Sequence, residues 1–205
     1  MADLVLDADH TALCVVEMQN DIVHESNVGK RGLRGVLAEA VQRRGVIPRL
    51  RGVLAAARHR GLPVLYVNVS NKPGFPRPNA RIYRLAGREP ALVEGTWGAE
   101  IHEALAARPE DYVLTRTVSV DGSYGTQLYP VLRMLRRTTM VMAGVSTNMA
   151  VEGIVRASVN RGFDVVVIED CCASYPEEWH RFSIDNIMPL LATVTTADAL
   201  IAALG

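Results

Sequence analysis

Six short runs of apolar, β-branched-rich sequence, at 11–17, 63–69, 111–115, 138–144, 164–168 and 191–195, constrain this chain more than anything else in it. A strand with one wet face alternates apolar and polar residues, whereas one covered on both faces does not. Val165-Val-Val-Ile168 has no polar interruption, which marks a parallel sheet buried between helices. Segments with helical periodicity fall between the runs, near 46–60, 98–107, 127–137, 147–161, 177–188 and 197–204. The chain therefore reads βαβα throughout, an α/β fold built as a three-layer α/β/α sandwich on a six-stranded, mainly parallel sheet. One stretch, 70–97, breaks the pattern with Pro73, Pro76, Pro78, Pro90, Gly74, Gly87 and Gly95, and a loop this long reads as a lid or interface segment.

The 205 residues suit a single domain over 1–205, with 49% hydrophobic residues to fill a core and 21% charged residues to cover it. Twenty-two basic and 22 acidic residues cancel, so no global field draws the protein to nucleic acid or to an anionic membrane. No apolar stretch reaches membrane-spanning length, and the run at 12–16 is too short for a secretory segment and follows Asp3, Asp7 and Asp9. Three cysteines, two of them adjacent, make no disulfide framework. A soluble cytoplasmic protein is expected, with a small molecule as its partner.

Neither a G-x-G-x-x-G turn nor a P-loop follows the first strand, so no nucleotide cofactor is expected. His10, His24, His59, His102 and His180 show no metal spacing, and His59 and His102 read as surface residues of helices. No metal is expected either. In open α/β sheets, ligands bind beyond the carboxyl ends of the strands, near the point where strand order reverses. That rule selects Glu17-Met-Gln-Asn-Asp21, Thr115-Arg-Thr117 with the loop to Thr126, and Val145 to Ala150. The third place is a strand feeding a helix, where backbone N–H groups without intrahelical partners form a cradle for an anion or oxyanion; the expected donors are the amides of Met149 and Ala150.

These places carry a resemblance. Through Val15-Val-Glu-Met-Gln-Asn-Asp21, Gly95-Thr-Trp-Gly98, Tyr124-Gly-Thr-Gln-Leu128, Gly144-Val-Ser-Thr-Asn148 and Gly162-Phe-Asp-Val-Val-Val-Ile-Glu-Asp170, the chain resembles the isochorismatase-like hydrolases, a superfamily of cysteine hydrolases and their relatives on a Rossmann-like sheet. The resemblance implies an Asp at the end of the first strand, a Lys after the third and a Cys at the start of the helix after the fourth. Here those positions hold Glu17, either Arg116 or Thr117, and Ala150. It further implies a non-proline cis peptide between Val145 and Ser146, and a homo-oligomer, dimer or tetramer. The metal pattern of some members, Asp-x-His after the second strand, is replaced by Val67-Asn-Val-Ser-Asn71.

An alanine at the nucleophile position excludes a thioester-forming amidase there, since deleting a concerted nucleophile costs about six powers of ten in rate. Cys171 and Cys172 follow the fifth strand and read as small packed residues. Acid catalysis without a covalent intermediate survives, and the isochorismatases proper that the chain resembles act on a vinyl ether in this way. Glu17 would then protonate the substrate, provided burial raises its carboxyl above an unperturbed value of about 4.3. Arg116 decides the outcome: within about 4–6 Å it favours the carboxylate and makes Glu17 a base or a substrate anchor, whereas with Thr117 facing the pocket Glu17 stays an acid. Gln19, Trp97, Tyr124, Val145, Ser146, Asn148 and Met149 are the expected substrate contacts. The competing reading is a family member that has lost its chemistry and serves as a ligand-binding or structural protein.

Overall fold

In this computed structural model, which describes residues 4–74, 80–85 and 91–205, every strand pairing is parallel. The strands are β1 (Thr11–Val16), β2 (Val64–Val69), β3 (Tyr112–Arg116), β4 (Thr139–Val145), β5 (Asp164–Ala173) and β6 (Thr193–Thr195), in the order β3-β2-β1-β4-β5-β6. β1 is central and all its residues are buried. Because successive side chains point to opposite faces, Leu13 and Val15 join one apolar layer while Ala12, Cys14 and Val16 join the other.

Eight α-helices occur among the described residues: α1 (Asn20–Val23), α2 (Leu33–Arg44), α3 (Val46–His59), α4 (Arg81–Leu85), α5 (Leu128–Met134), α6 (Glu152–Val159), α7 (Glu177–Phe182) and α8 (Ala197–Leu204). Leu50 and Val53 of α3, Val41 of α2 and Leu200 of α8 cover the first face. Leu128 and Leu132 of α5, with Ile154 and Val155 of α6, cover the second. The expected sandwich is thus present, and its sheet is wholly rather than mainly parallel.

Three expectations need correction. Helix α2 was not anticipated, because its buried side is made of Gly35, Ala38 and Ala40 beside Leu37 and Val41, and small residues give little hydropathy contrast. The helix expected over 98–107 is instead two 3₁₀ turns, Trp97–Ala99 and Glu103–Leu105. Ile101 between them bridges to Gln19 in extended geometry, which a continuous helix would forbid. The segment expected at 147–161 opens with a π turn, Thr147–Val151, before α6 begins. Within the expected loop over 70–97, α4 is present, and Pro76, Pro78, Gly87 and Pro90 lie outside the described residues.

Strand order reverses between β1 and β4, so the ligand crevice of such a sheet opens beyond Val16 and Val145. The two strands approach closely there. Val16 lies opposite Gly144, whose φ is 121°, and a methyl group on Gly144 would overlap the Val16 carbonyl oxygen and stand 2.8 Å from its nitrogen. Only glycine lets the two ends meet.

Candidate functional site

Glu17 leaves β1 in a left-handed conformation, φ 52°, with its amide donating to the Val67 carbonyl at 2.9 Å. This turns its side chain to the sheet's end, where it is 8% exposed and meets Arg116, 7% exposed, in an ion pair. Arg116 Nη2 donates to Glu17 Oε1, and Nη1 donates to the Ser119 carbonyl. Thr117 is exposed, so Arg116 takes the place opposite Glu17. Tyr83 of α4 donates its phenol to the same Ser119 carbonyl and lies within electrostatic reach of both partners.

Burial pushes the Glu17 carboxyl above its usual range, and the charge and hydrogen bond of Arg116 offset part of that rise. Contact with Arg116 does lower the value, as expected, but burial outweighs it and the net direction is upward. Removing the carboxylate from water outweighs the attraction of a single guanidinium.

Across the crevice, the Val145–Ser146 peptide is cis, as the resemblance implies. The turn that follows is closed more tightly than a free cradle would be. The Ser146 carbonyl accepts from the Met149 amide at 3.1 Å and the Val151 amide at 3.2 Å, so the amide expected at Met149 is already spent. The Val151 bond spans five residues, as the π winding requires, whereas the Met149 bond spans three, as in a tight turn. Asn148 Oδ1 accepts from Ser174 Oγ at 2.5 Å. Val145 and Ala150 are buried, and Ala150 packs in the apolar layer with Leu128 and Ile154.

Two residues of this region escaped the sequence reading. Thr147 Oγ1 lies 2.8 Å from His180 Nδ1, and both side chains are fully buried. Burial first, then the charge of Arg44, pulls His180 down to about 4, so the ring is neutral. Tyr83 was the other omission, since nothing periodic surrounds it. The thiols of Cys14, Cys171 and Cys172 are buried; burial pushes Cys14 and Cys172 up to about 12, and Cys171 upward as well.

Gln19, Asn20 and Asp21 hold the chain, and Gln19 also lines the cavity of about 350 Å³ beside β2 and β3. Gln19 Nε2 donates to the carbonyls of Val69 (2.9 Å) and Ala99 (2.7 Å), and its Oε1 accepts from the Val69 amide (2.9 Å). Asn20 Nδ2 donates to the Trp97 carbonyl at 2.9 Å, and Asp21 Oδ2 accepts from the Leu92 amide at 2.7 Å. Together they clamp the 91–101 segment. Trp97, half exposed, sets its ring edge-on to His24, with centroids 4.8 Å apart. Tyr124 is exposed and makes no side-chain hydrogen bond among the described residues.

His102 is buried, not at the surface, and it meets His24, Glu25 and Glu103 with ligand atoms all within 4.8 Å. This donor set would suit a borderline divalent ion. The proton positions oppose it. His24 Nδ1 accepts from the Ser26 amide and His102 Nδ1 from the Ala104 amide, each at 3.1 Å, which leaves the ring protons on Nε2, facing the carboxylates. An ion at Nε2 would forfeit both caps. A cavity of about 350 Å³ is lined by Gln19, Asn68 and Ser70 and another, of about 380 Å³, by Val23, Val41 and His102; Glu17 and Ala150 line neither of these two.

With this geometry the relatives can be placed. The sequence matches the isochorismatase domain over residues 11–199. It is 30% identical to a ureidoacrylate amidohydrolase, RutB, of Methylorubrum extorquens, covering 98% of this chain and 85% of that protein. Among solved structures, an isochorismatase family protein from Desulfovibrio vulgaris superposes with a TM-score of 0.80 at 26% identity, over 95% of this chain and 98% of the other. An N-carbamoylsarcosine amidase from Thermoplasma acidophilum superposes with a TM-score of 0.72 at 28% identity, over 92% and 96%. A six-stranded parallel sheet with a buried carboxylate just after β1 and a cis-peptide turn at the end of β4, the two strands between which the order reverses, together with a match over residues 11–199, makes this chain a member of the isochorismatase family.

Proposed function

We propose that the protein hydrolyses a small anionic metabolite at a vinyl ether, or a related C–O or C–N bond, by acid/base chemistry with no covalent enzyme intermediate. The observation that carries this reading is the buried Glu17 carboxyl at the end of β1, paired with Arg116, with Ala150 at the position where the resemblance implies a thiol. Such a carboxyl can stay protonated near neutral pH and act as a general acid. For a vinyl ether, Glu17 delivers its proton to the terminal carbon and the ether carbon becomes an oxocarbenium. Water adds there and loses its proton to the Glu17 carboxylate, and the hemiketal collapses to a ketone and an alcohol.

Arg116 serves both halves of the cycle. While Glu17 is protonated, its guanidinium charge is uncompensated and favours an anionic substrate; once the proton has moved, it stabilises the carboxylate. The Val145–Met149 turn forms the opposite wall, with Ser146 and Asn148 at the crevice, and Gln19 braces the floor.

Glu17→Gln, which keeps an oxygen for Arg116, is expected to lower turnover of carboxylated vinyl ethers or N-carbamoyl compounds by about 10²–10⁴-fold. Full activity in that variant removes Glu17 from the mechanism. A second reading, a family member that binds a ligand without chemistry, is favoured by the burial of Glu17 and by the spent Met149 amide. It predicts ligand-dependent stabilisation with no turnover in either protein.

A further inference from the structure

We propose that Ser119 is a positioning residue of the Glu17–Arg116 site: its carbonyl engages one arm of the guanidinium, so Arg116 grips a single oxygen of Glu17 and leaves Oε2 open to carry the proton. The inference rests on Glu17 acting as the acid and names what keeps it one. An arginine that meets a carboxylate commonly forks onto both oxygens. Here it does not. Nη2 donates to Oε1, Nη1 is taken by the Ser119 carbonyl, and Oε2 accepts no hydrogen bond among the described residues. Arg116 Nε has no partner, so the two Nη ends orient the group.

The carbonyl reaches Arg116 through an unfavourable backbone. Ser119 has φ 74°, a left-handed conformation disfavoured for any residue with a side chain, and Glu17 has φ 52°. Two of the four such non-glycine residues among those described thus meet at one guanidinium. Outliers of this kind persist only where their surroundings hold them. Ser119 Oγ donates to the Asp121 carbonyl at 2.7 Å, and Asp121 Oδ1 accepts from the Ser123 amide at 2.8 Å and from Ser123 Oγ at 2.7 Å, which closes the turn. The same Ser119 carbonyl also accepts from the Tyr83 phenol, so the oxygen is held from two sides.

With the carbonyl turned away, Nη1 is free to join Nη2 on the carboxylate, and a forked pair favours the charged form of Glu17 more than a single bond does. Glu17 then holds its proton over a narrower range of pH.

Ser119→Gly and Ser119→Val test this, because both delete the hydroxyl but only glycine keeps the left-handed backbone without strain. The pH at which Glu17 titrates, read from its side-chain ¹³C signal with no substrate present, is expected to fall in Ser119→Val and to match wild type in Ser119→Gly. The falling limb of kcat/KM should move to lower pH with it, cutting the rate at pH 7 by about 3–10-fold in Ser119→Val alone. An unmoved Glu17 titration in Ser119→Val, or equal shifts in both variants, overturns the proposal. In wild type, Nη1 and Nη2 of Arg116 should give separate ¹⁵N signals, as a guanidinium pinned at both ends requires; a single averaged signal overturns it even if Ser119→Val does not fold. A shifted titration with no turnover in any of the three proteins instead removes the hydrolytic reading and leaves the positioning of Arg116 standing.

Discussion

A carboxylate directly after five apolar residues at a strand's end demands a partner, and Glu17 finds it in Arg116, ninety-nine residues away. Both are buried, so the pair carries a desolvation penalty that its own attraction only partly offsets. Removing one partner and removing both then have opposite effects. Arg116→Met is expected to destabilise the protein at neutral pH by less than the ~3–5 kcal/mol cost of an unpaired buried charge, because Glu17, already pushed up by burial, takes up a proton once its partner is gone, and the loss should shrink further in acid. The double change Glu17→Gln with Arg116→Met should equal wild type or exceed it by about 1–4 kcal/mol while abolishing turnover. Urea denaturation of the three proteins checks this, and a double variant less stable than Arg116→Met contradicts it. Glu17 and Arg116 could be picked out from the sequence because strand ends locate chemistry. Tyr83 could not, lying in a proline-rich stretch without period, and the capture of the Met149 amide depends on a tight turn that no residue pattern announces.

The strands could be read because residues buried on both faces leave uninterrupted runs, and β1, β2 and β4 fall within a residue or two of the expected bounds. Helices that pack through glycine and alanine, such as α2, or that yield to long-range clamps, as at 97–105, carry no comparable local signal. The turn after β4 is held from outside in the same way. His180 on α7 holds Thr147 there, and its neutral ring is a stability device with a definite sign. Its folded value, about 4, lies below the ordinary 6.5, so the unfolded chain binds more protons between those values. Its contribution, roughly 3 kcal/mol, is complete above pH 6.5 and is lost as pH falls through 4. Glu17, with a raised value, acts in the opposite direction, but equally in wild type and in a His180 variant. His180→Gln should therefore flatten the fall of Tm between pH 7 and pH 4, and an unchanged slope would assign the acid sensitivity elsewhere.

For the molecule as a whole, no helix among the described residues is long and apolar enough to cross a membrane. Trp179 and Phe182, three residues apart on α7, are exposed on one helix face, with Tyr175 and Leu190 exposed in the neighbouring sequence. Exposed large apolar side chains clustered on one segment are what an interface would cover. We expect a homo-oligomer through α7, and Trp179→Glu with Phe182→Glu should reduce its sedimentation coefficient to that of a monomer; no change in mass would place the contact elsewhere. The central claim, however, concerns a reaction run by a buried acid where the family resemblance implies a cysteine. The pH dependence of kcat/KM tests it most directly. A general acid must be protonated, so the rate should be highest in acid, fall as pH rises through the elevated Glu17 value, and be indifferent to iodoacetamide because all three thiols are buried. A rate that climbs with pH as a thiol ionises, and vanishes on alkylation, would contradict the account.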